Sequence, residues 1–168
     1  PSFPPRRSSD LMTGRGAGLS DKGLERKLWA IETALERSRP NPMDPLDVLS
    51  KVGGFDIAGL CGVCLGGALY RVPIMMDGFI STVAALCALR LCPEAGKAMF
   101  ASHVSAEPAG QLILDALGKR PLITAGMRLG EGTGAVCAIP MLDMALSLYQ
   151  DGTTFDSTGI QAYTPQGG

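Results

Sequence analysis

The sequence predicts an α/β fold in which a Rossmann-like parallel sheet is flanked by helices. Segments with helical periodicity alternate with short apolar runs, and the connections between those runs are themselves helical. Apolar residues make up 46% of the 168 residues, which is enough for a substantial core. Only three strand candidates are visible. Either a further strand is hidden in the sequence, or the sheet is completed by a segment outside it.

The two ends of the chain differ from its middle. Residues 1–11 carry proline, arginine and serine without periodicity, and we expect them to be a non-native segment. The domain is therefore expected over residues 12–156. The polar residues from 151 onward, including the tail 157–168, are expected to be loosely held.

The first half of the chain is predicted to be helical. Ser20 is a suitable N-cap for the first long helix, whose apolar residues step by four, three and four and predict one buried stripe. Asp44-Pro45 is typical of a helix start, and Gly53-Gly54 of a helix end. The predicted helices cover residues 21–37, 44–52 and 55–69.

The second half alternates strands and helices. An apolar run over 72–76 ends in Asp77-Gly78, and a helix over 80–91 follows, the pattern that places functional groups beyond a strand's carboxyl end. Pro140 is expected to kink or divide the last long helix. The remaining predictions are helical turns over 93–99, strands over 100–104 and 121–123, and helices over 109–117 and 135–150.

Two glycine-rich turns are candidate binding elements. Residues 126–134 place Glu131 among glycines directly before the last helix, where backbone N–H groups and the helix dipole can face an anion. Glu131 can serve there as a base, or it can be a solvated residue at a helix start. Residues 14–18 form the second turn, and Lys27 on the following helix can reach an anion there or lie in solvent. Asp77 can equally be a turn or N-cap residue.

Composition excludes several classes of function. The net charge of −1 and an aromatic content of 5% give no signature of nucleic-acid binding or of an acidic membrane surface. No membrane span or signal peptide is visible. The five cysteines are interpreted as reduced, buried residues of a cytoplasmic protein, and the Cys61/Cys64 spacing as structural in preference to redox-active. His103, the single histidine, is more readily structural than catalytic.

Four motifs in this order resemble one enzyme family. They are Gly14-Arg15-Gly16-Ala17-Gly18, Asp77-Gly78-Phe79-Ile80-Ser81-Thr82, His103-Val104-Ser105-Ala106-Glu107-Pro108 and residues 126–134. Their order and spacing resemble the nicotinate-nucleotide–dimethylbenzimidazole phosphoribosyltransferases of cobalamin nucleotide-loop assembly. The resemblance extends over about residues 12–156.

The resemblance implies a reaction and a set of site residues. The phosphoribosyl group of nicotinate mononucleotide passes to 5,6-dimethylbenzimidazole, giving α-ribazole 5′-phosphate and nicotinate with inversion at the anomeric carbon. Glu131 is implied as the general base. The implied substrate-binding residues are Lys27 and Gly16 at the phosphate, Asp77, Gly78 and Ser105 at the nucleotide, and Arg128, Leu129 and Gly130 around the acceptor.

The resemblance also has two departures. Ala17 stands where the family's Gly-Arg-Gly-Thr-Gly turn is expected to have threonine, so one hydroxyl near the phosphate is absent. Family members are much longer than this chain, so the sequence resembles a C-terminal fragment whose sheet is incomplete because the upstream half is missing. The alternative function is therefore an inactive fragment that only binds a nucleotide phosphate. A homodimer is implied, and no metal or cofactor is required.

Overall fold

The computed structural model describes residues 8–16, 18–161 and 163–165. Ala17, part of the predicted non-native segment 1–11 and part of the predicted tail 157–168 therefore lie outside the described residues. The described elements are α1 (Ser8–Met12), α2 (Asp21–Ser38), α3 (Pro45–Val52), α4 (Phe55–Tyr70), β1 (Ile74–Met76), α5 (Phe79–Leu91), a 3₁₀ helix (Pro93–Ala98), β2 (Met99–Ala101), α6 (Gly110–Leu117), α7 (Thr133–Asp151) and α8 (Phe155–Thr158).

The starts of α2 and α3 follow from their capping residues. The Ser20 hydroxyl accepts from the Gly23 N–H at 3.3 Å, which confirms the predicted N-cap. Asp44 Oδ1 accepts from the N–H groups of Leu46 and Asp47 at 3.0 and 3.3 Å. These bonds satisfy donors that a helix start would otherwise leave open.

The apolar stripe predicted on α2 is less buried than expected. Leu24, Leu28 and Ile31 are half-buried, and Leu35 is 43% exposed. Helix α2 is covered by α1 and α3, which are only five and eight residues long. Elements this short cannot cover an 18-residue helix over its whole length.

The sheet is parallel, as predicted, and its strands are shorter than the sequence suggested. Ile74 lies opposite Met99, and Met76 opposite Ala101. Beyond β2, His103 forms a parallel bridge with Ile123, so the predicted third strand is present as a single bridge. Backbone bonds extend the alignment, since Ser102 N donates to Met76 O and Ile123 N to Ser102 O. All three segments therefore run in one direction and end at the same edge.

The core lies between α4, α5, the 3₁₀ helix and the sheet, and small side chains dominate it. Ala84, Ala85 and Ala88 on α5 are fully buried. On α4, Gly67 packs so closely against β1 that an added Cβ would overlap the Ile74 side chain. Small residues on both helices allow close approach of their backbones, and Met99 and Leu114 supply the larger fully buried side chains.

The cysteines are only partly as predicted. All five are free, and Cys61 and Cys64 are buried. Cys87 and Cys92 are half-buried and Cys137 is exposed, so the expectation of burial is wrong for these three. Burial raises the pKa of Cys64 to about 11 and also raises the pKa of Cys61. Since the thiolate is the reactive form, this environment favours a structural pair.

The C-terminal helix differs from the prediction in its continuity. Helix α7 is one continuous element with Pro140 inside it, so the predicted division does not occur. Pro140 and Val136 are both exposed, and water can therefore bond to the carbonyl left open by the missing N–H. The segment after α7, expected to be loosely held, contains α8, which is capped reciprocally by Thr154 and Ser157.

Within the described residues, no helix has both the length and the apolar character that a membrane span requires.

Candidate active site

The candidate site lies at the edge where the three parallel segments end. Asp77-Gly78 follows β1, His103 and Ser105 follow β2, and the glycine-rich turn 126–134 follows the segment that contains Ile123. The bond from Ala106 N to Met127 O at 3.0 Å holds the last two of these loops together. Residues far apart in sequence therefore meet because they end neighbouring parallel segments.

A cleft of about 710 Å³ opens at this edge. Gly14, Gly16 and helix α2 form one side of it, and the loops after the sheet form the other. Every site residue predicted from the sequence lines this cleft: Gly16, Lys27, Asp77, Gly78, Ser105, Arg128, Leu129, Gly130 and Glu131. The cleft also includes residues that the prediction omitted, among them Thr13, Ser81 and Glu107.

Lys27 brings a positive charge to the turn 14–18. Its Nζ donates to the Gly14 carbonyl at 2.8 Å, and the side chain is half-buried. None of the ion pairs formed between described residues involves Lys27. Arg15 is committed elsewhere, since it pairs with Asp21 and donates to Leu19 O. Among the described residues, Lys27 is thus a cation available at this turn, with two ammonium hydrogens beyond the one given to Gly14.

The Glu131 turn has an unusual backbone. Gly130, Glu131 and Gly132 have φ angles of 76°, 57° and 78° in succession. The left-handed region suits glycine, but it costs other residues about 1–2 kcal/mol. Glu131 is exposed, lines the cleft and lies two residues before the start of α7. Arg39 and Arg71 share this region as helix C-caps, whereas Glu131 adopts it in a turn that lines the cleft, which makes that turn a candidate functional element.

Asp77 connects this turn to the sheet. Its Oδ2 accepts from Gly132 N at 3.2 Å, and its Oδ1 from Ala135 N at 3.0 Å. We expected these N–H groups to face a bound anion, and the anion they face is the Asp77 carboxylate. Asp77 does cap a helix, but not the one that follows it in sequence. The N-cap of α5 is Gly78, and Asp77 accepts from N–H groups at the start of α7.

His103 lines the cleft but is buried, with 4% of its surface exposed. Its Nδ1 lies 3.0 Å from the Ser102 hydroxyl. A Cβ at Gly134 would overlap the imidazole ring and lie 3.0 Å from Asp77 Oδ1. This packing gives His103 a structural contact with α7, and the ring also lines the cleft. The glycine at 134 is the sequence feature that permits it.

Glu107 is the main residue that sequence reasoning missed. It is half-buried in the cleft, and a Cβ at Gly14 would overlap its carboxylate. Its N–H donates to the Ser105 hydroxyl at 3.3 Å. A carboxylate inside one of the four motifs was the available signal. Within the described residues, no group of three or more histidine, cysteine, aspartate or glutamate side chains could hold a metal ion.

Several known proteins resemble this chain over most of its length. The sequence model of a family described as "Phosphoribosyltransferase" matches residues 6–160. The nicotinate-nucleotide–dimethylbenzimidazole phosphoribosyltransferase of Acetivibrio thermocellus is 50% identical over 158 residues, which cover 94% of this chain and 45% of the relative. The protein of the same name from Chloroflexus aurantiacus is 48% identical over 155 residues, or 92% of this chain and 44% of the relative.

A solved structure shares the fold. The crystal structure of CobT from Thermus thermophilus aligns with a TM-score of 0.82 at 38% sequence identity, covering 92% of this chain and 46% of that chain. The present chain therefore spans less than half the length of each of these relatives.

Proposed function

The chain belongs to this phosphoribosyltransferase family, and we propose that its cleft transfers the phosphoribosyl group of nicotinate mononucleotide to 5,6-dimethylbenzimidazole. The products are α-ribazole 5′-phosphate and nicotinate, in cobalamin nucleotide-loop assembly. One observation supports this most strongly: nine residues from separate parts of the sequence, each implied by the family resemblance, line one cleft. We place the domain that carries this activity at residues 12–156, within the matched region 6–160.

We place the phosphate of nicotinate mononucleotide at the turn 14–18. Lys27 supplies the positive charge there, and the backbone at Gly16 supplies a close approach. The other glycine-rich turn is less suitable, because the N–H groups of Gly132 and Ala135 already bond to Asp77. A phosphate brought to that helix start would be repelled by the negative charge of the Asp77 carboxylate.

Glu131 is proposed as the general base. The bond from ribose C1′ to the nicotinate nitrogen breaks, and nicotinate leaves with the electron pair. A ring nitrogen of dimethylbenzimidazole supplies the pair for the new bond to C1′, on the opposite face, and the proton lost by the acceptor ring passes to the Glu131 carboxylate. The ribose becomes positively charged as these bonds exchange, and the carboxylates of Glu131 and Glu107 in the same cleft stabilise that charge.

The acceptor is proposed to lie against Arg128, Leu129 and Gly130. Leu129 is 75% exposed beside Glu131, and an apolar side chain in that position suits the flat face of a benzimidazole. Gly78 and Ser105 lie deeper, at the ends of β1 and β2, where the nucleotide is proposed to sit.

We further propose a homodimer in a reducing, cytoplasmic environment. The assembly follows from the family resemblance alone, and sedimentation of the purified chain tests it. The location is supported by the five free cysteines, which are typical of proteins kept in reducing compartments.

The test of the proposed function is release of nicotinate from nicotinate mononucleotide, followed by chromatography with and without dimethylbenzimidazole. We expect release that depends on the acceptor. Bound nucleotide without release under either condition would contradict transfer by this chain and favour the alternative, a fragment that only binds a nucleotide phosphate. The Glu107→Gln variant identifies the base. If it loses release and Glu131→Gln keeps it, the base is Glu107.

A further inference from the structure

The Asp77 carboxylate joins the end of β1 to the start of α7 across 55 residues of sequence. We propose that Asp77 is a positioning residue, which acts on the reaction by holding the Glu131 turn and not by binding the nucleotide. This inference rests on the proposed function, in which Glu131 is the base. It assigns Asp77 a role different from the one implied by the family resemblance.

The Glu131 turn needs external support. Three successive residues with positive φ form a conformation that a short peptide would not keep, and the central one carries a side chain. Within the turn, Thr133 N donates to Gly130 O at 3.0 Å. The two hydrogen bonds that Asp77 accepts then fix Gly132, the residue after Glu131, and Ala135 in the first turn of α7. Because one carboxylate accepts both, the turn and the helix start cannot move independently.

Asp77 is itself held by its surroundings. Met76 is 2% exposed, and its carbonyl accepts from Ser102 N in the sheet. The next residue is fixed as well, since the Gly78 carbonyl accepts from the Thr82 hydroxyl at 2.7 Å and from the Ser81 hydroxyl at 3.0 Å. The sheet therefore fixes the position of the Asp77 carboxylate, and the carboxylate fixes the position of the Glu131 turn.

Charge makes this connection strong. Hydrogen bonds to an ionised carboxylate are stronger than those between neutral groups, and a negative charge at a helix N-terminus is further stabilised by the helix dipole. Helix α7 has 19 residues, so its dipole is well developed. Each carboxylate oxygen already accepts one of these N–H groups, so a ribose hydroxyl that bonded to Asp77 would have to share an oxygen with the turn or the helix start.

The first test compares Asp77→Asn with Asp44→Asn in the 168-residue chain. Asp44 is a matched control, because one of its oxygens accepts two N–H groups at the start of α3 and it lies outside the cleft. In Asp77→Asn we expect amide exchange at Gly132 and Ala135 to become about ten-fold faster or more, because the asparagine keeps only one acceptor. Exchange at buried Leu114 reports whether the variant remains folded.

The second test separates positioning from substrate binding. We expect Asp77→Asn to bind nicotinate mononucleotide within about two-fold of the unmodified chain, and to release nicotinate about ten-fold more slowly or worse. Asp44→Asn keeps both properties. On a Glu131→Gln background, Asp77→Asn should lower the remaining release no further, because its effect acts through Glu131.

Three results would overturn the proposal. The first is unchanged amide exchange at Gly132 and Ala135 in a folded Asp77→Asn variant. The second is binding of nicotinate mononucleotide weakened about ten-fold or more by Asp77→Asn. The third is a double variant whose loss of nicotinate release equals the product of the losses in Asp77→Asn and Glu131→Gln alone. If Asp77→Asn does not fold, exchange in the unmodified chain decides. Saturating nicotinate mononucleotide should leave the Gly132 and Ala135 amides unchanged, and added protection there would show that the nucleotide binds at this turn. If the unmodified chain releases no nicotinate, the proposed function fails, while the exchange measurements still decide the role of Asp77.

Discussion

Replacing Gly134 by alanine tests the packing that holds the site together. Gly134 is the second residue of α7 and is buried. An alanine Cβ there would overlap Nδ1 and Cε1 of His103 and lie 3.0 Å from Asp77 Oδ1. The imidazole cannot easily move aside, because it is 4% exposed and lies against Ser102, which is fully buried.

The expected magnitude follows from these contacts. Overpacking a buried site of this kind costs about 1–3 kcal/mol, while alanine in place of a helical glycine regains at most about 1 kcal/mol. With a central overpacking cost of about 2 kcal/mol, the net loss is about 1–2 kcal/mol, which lowers the melting temperature of a chain of this size by about 2–8 °C. Because the Cβ also approaches Asp77, we expect slower nicotinate release as well.

The assay is a thermal melt of Gly134→Ala beside Gly62→Ala. Gly62 is the matched control, since it lies inside helix α4 and an added Cβ would have no neighbouring atom within 4 Å. We expect the control to melt at or above the temperature of the unmodified chain. A Gly134→Ala variant that melts as high as the control would refute the packing of His103 against α7.

Three further predictions follow from individual side chains. Lys27→Gln should weaken binding of nicotinate mononucleotide by about ten-fold or more, because a charged hydrogen bond is lost; calorimetry that finds the same weakening for Lys22→Gln on the exposed face of α2 would contradict a specific role. Glu131→Gln should lower nicotinate release by about a hundred-fold or more with binding retained, and unchanged turnover would remove the base assignment. Since burial raises the pKa of Cys64 to about 11, the unfolded thiol ionises first and the urea midpoint should fall as the pH rises from about 8.5 toward 11. This decrease in the urea midpoint should be smaller in Cys64→Ala than in the exposed control Cys137→Ala. Equal decreases in the two variants would count against a buried Cys64 thiol.

Much of the fold was predictable because local signals and the fold agree. The caps at Ser20 and Asp44 set the starts of α2 and α3, and the Asp77-Gly78 corner marks the end of a buried strand. The grouping of the site residues was also predictable, since parallel strands bring their carboxyl ends to one edge.

The rest depended on contacts that no local pattern contains. The hydrogen bonds from the Gly132 and Ala135 N–H groups to Asp77 link residues 55 and 58 positions apart, so the sequence around Asp77 gives no sign of which helix it caps. The exposure of Leu35 depends on how much of α2 its neighbours cover. Glu107 enters the cleft because Gly14 leaves room for it across the turn, which only the folded chain shows.

In this proposal the turn 14–18 binds the phosphate, while Asp77 occupies the N–H groups at the start of α7 and thereby holds the Glu131 turn in place. The most direct measurement is a crystal structure of the chain with nicotinate mononucleotide bound. We predict a phosphate oxygen within hydrogen-bonding distance of Lys27 Nζ, the ribose C1′ facing Glu131, and the bonds from Gly132 and Ala135 to Asp77 intact. A phosphate bound at the start of α7 in place of Asp77, or a nucleotide outside the cleft, would contradict it.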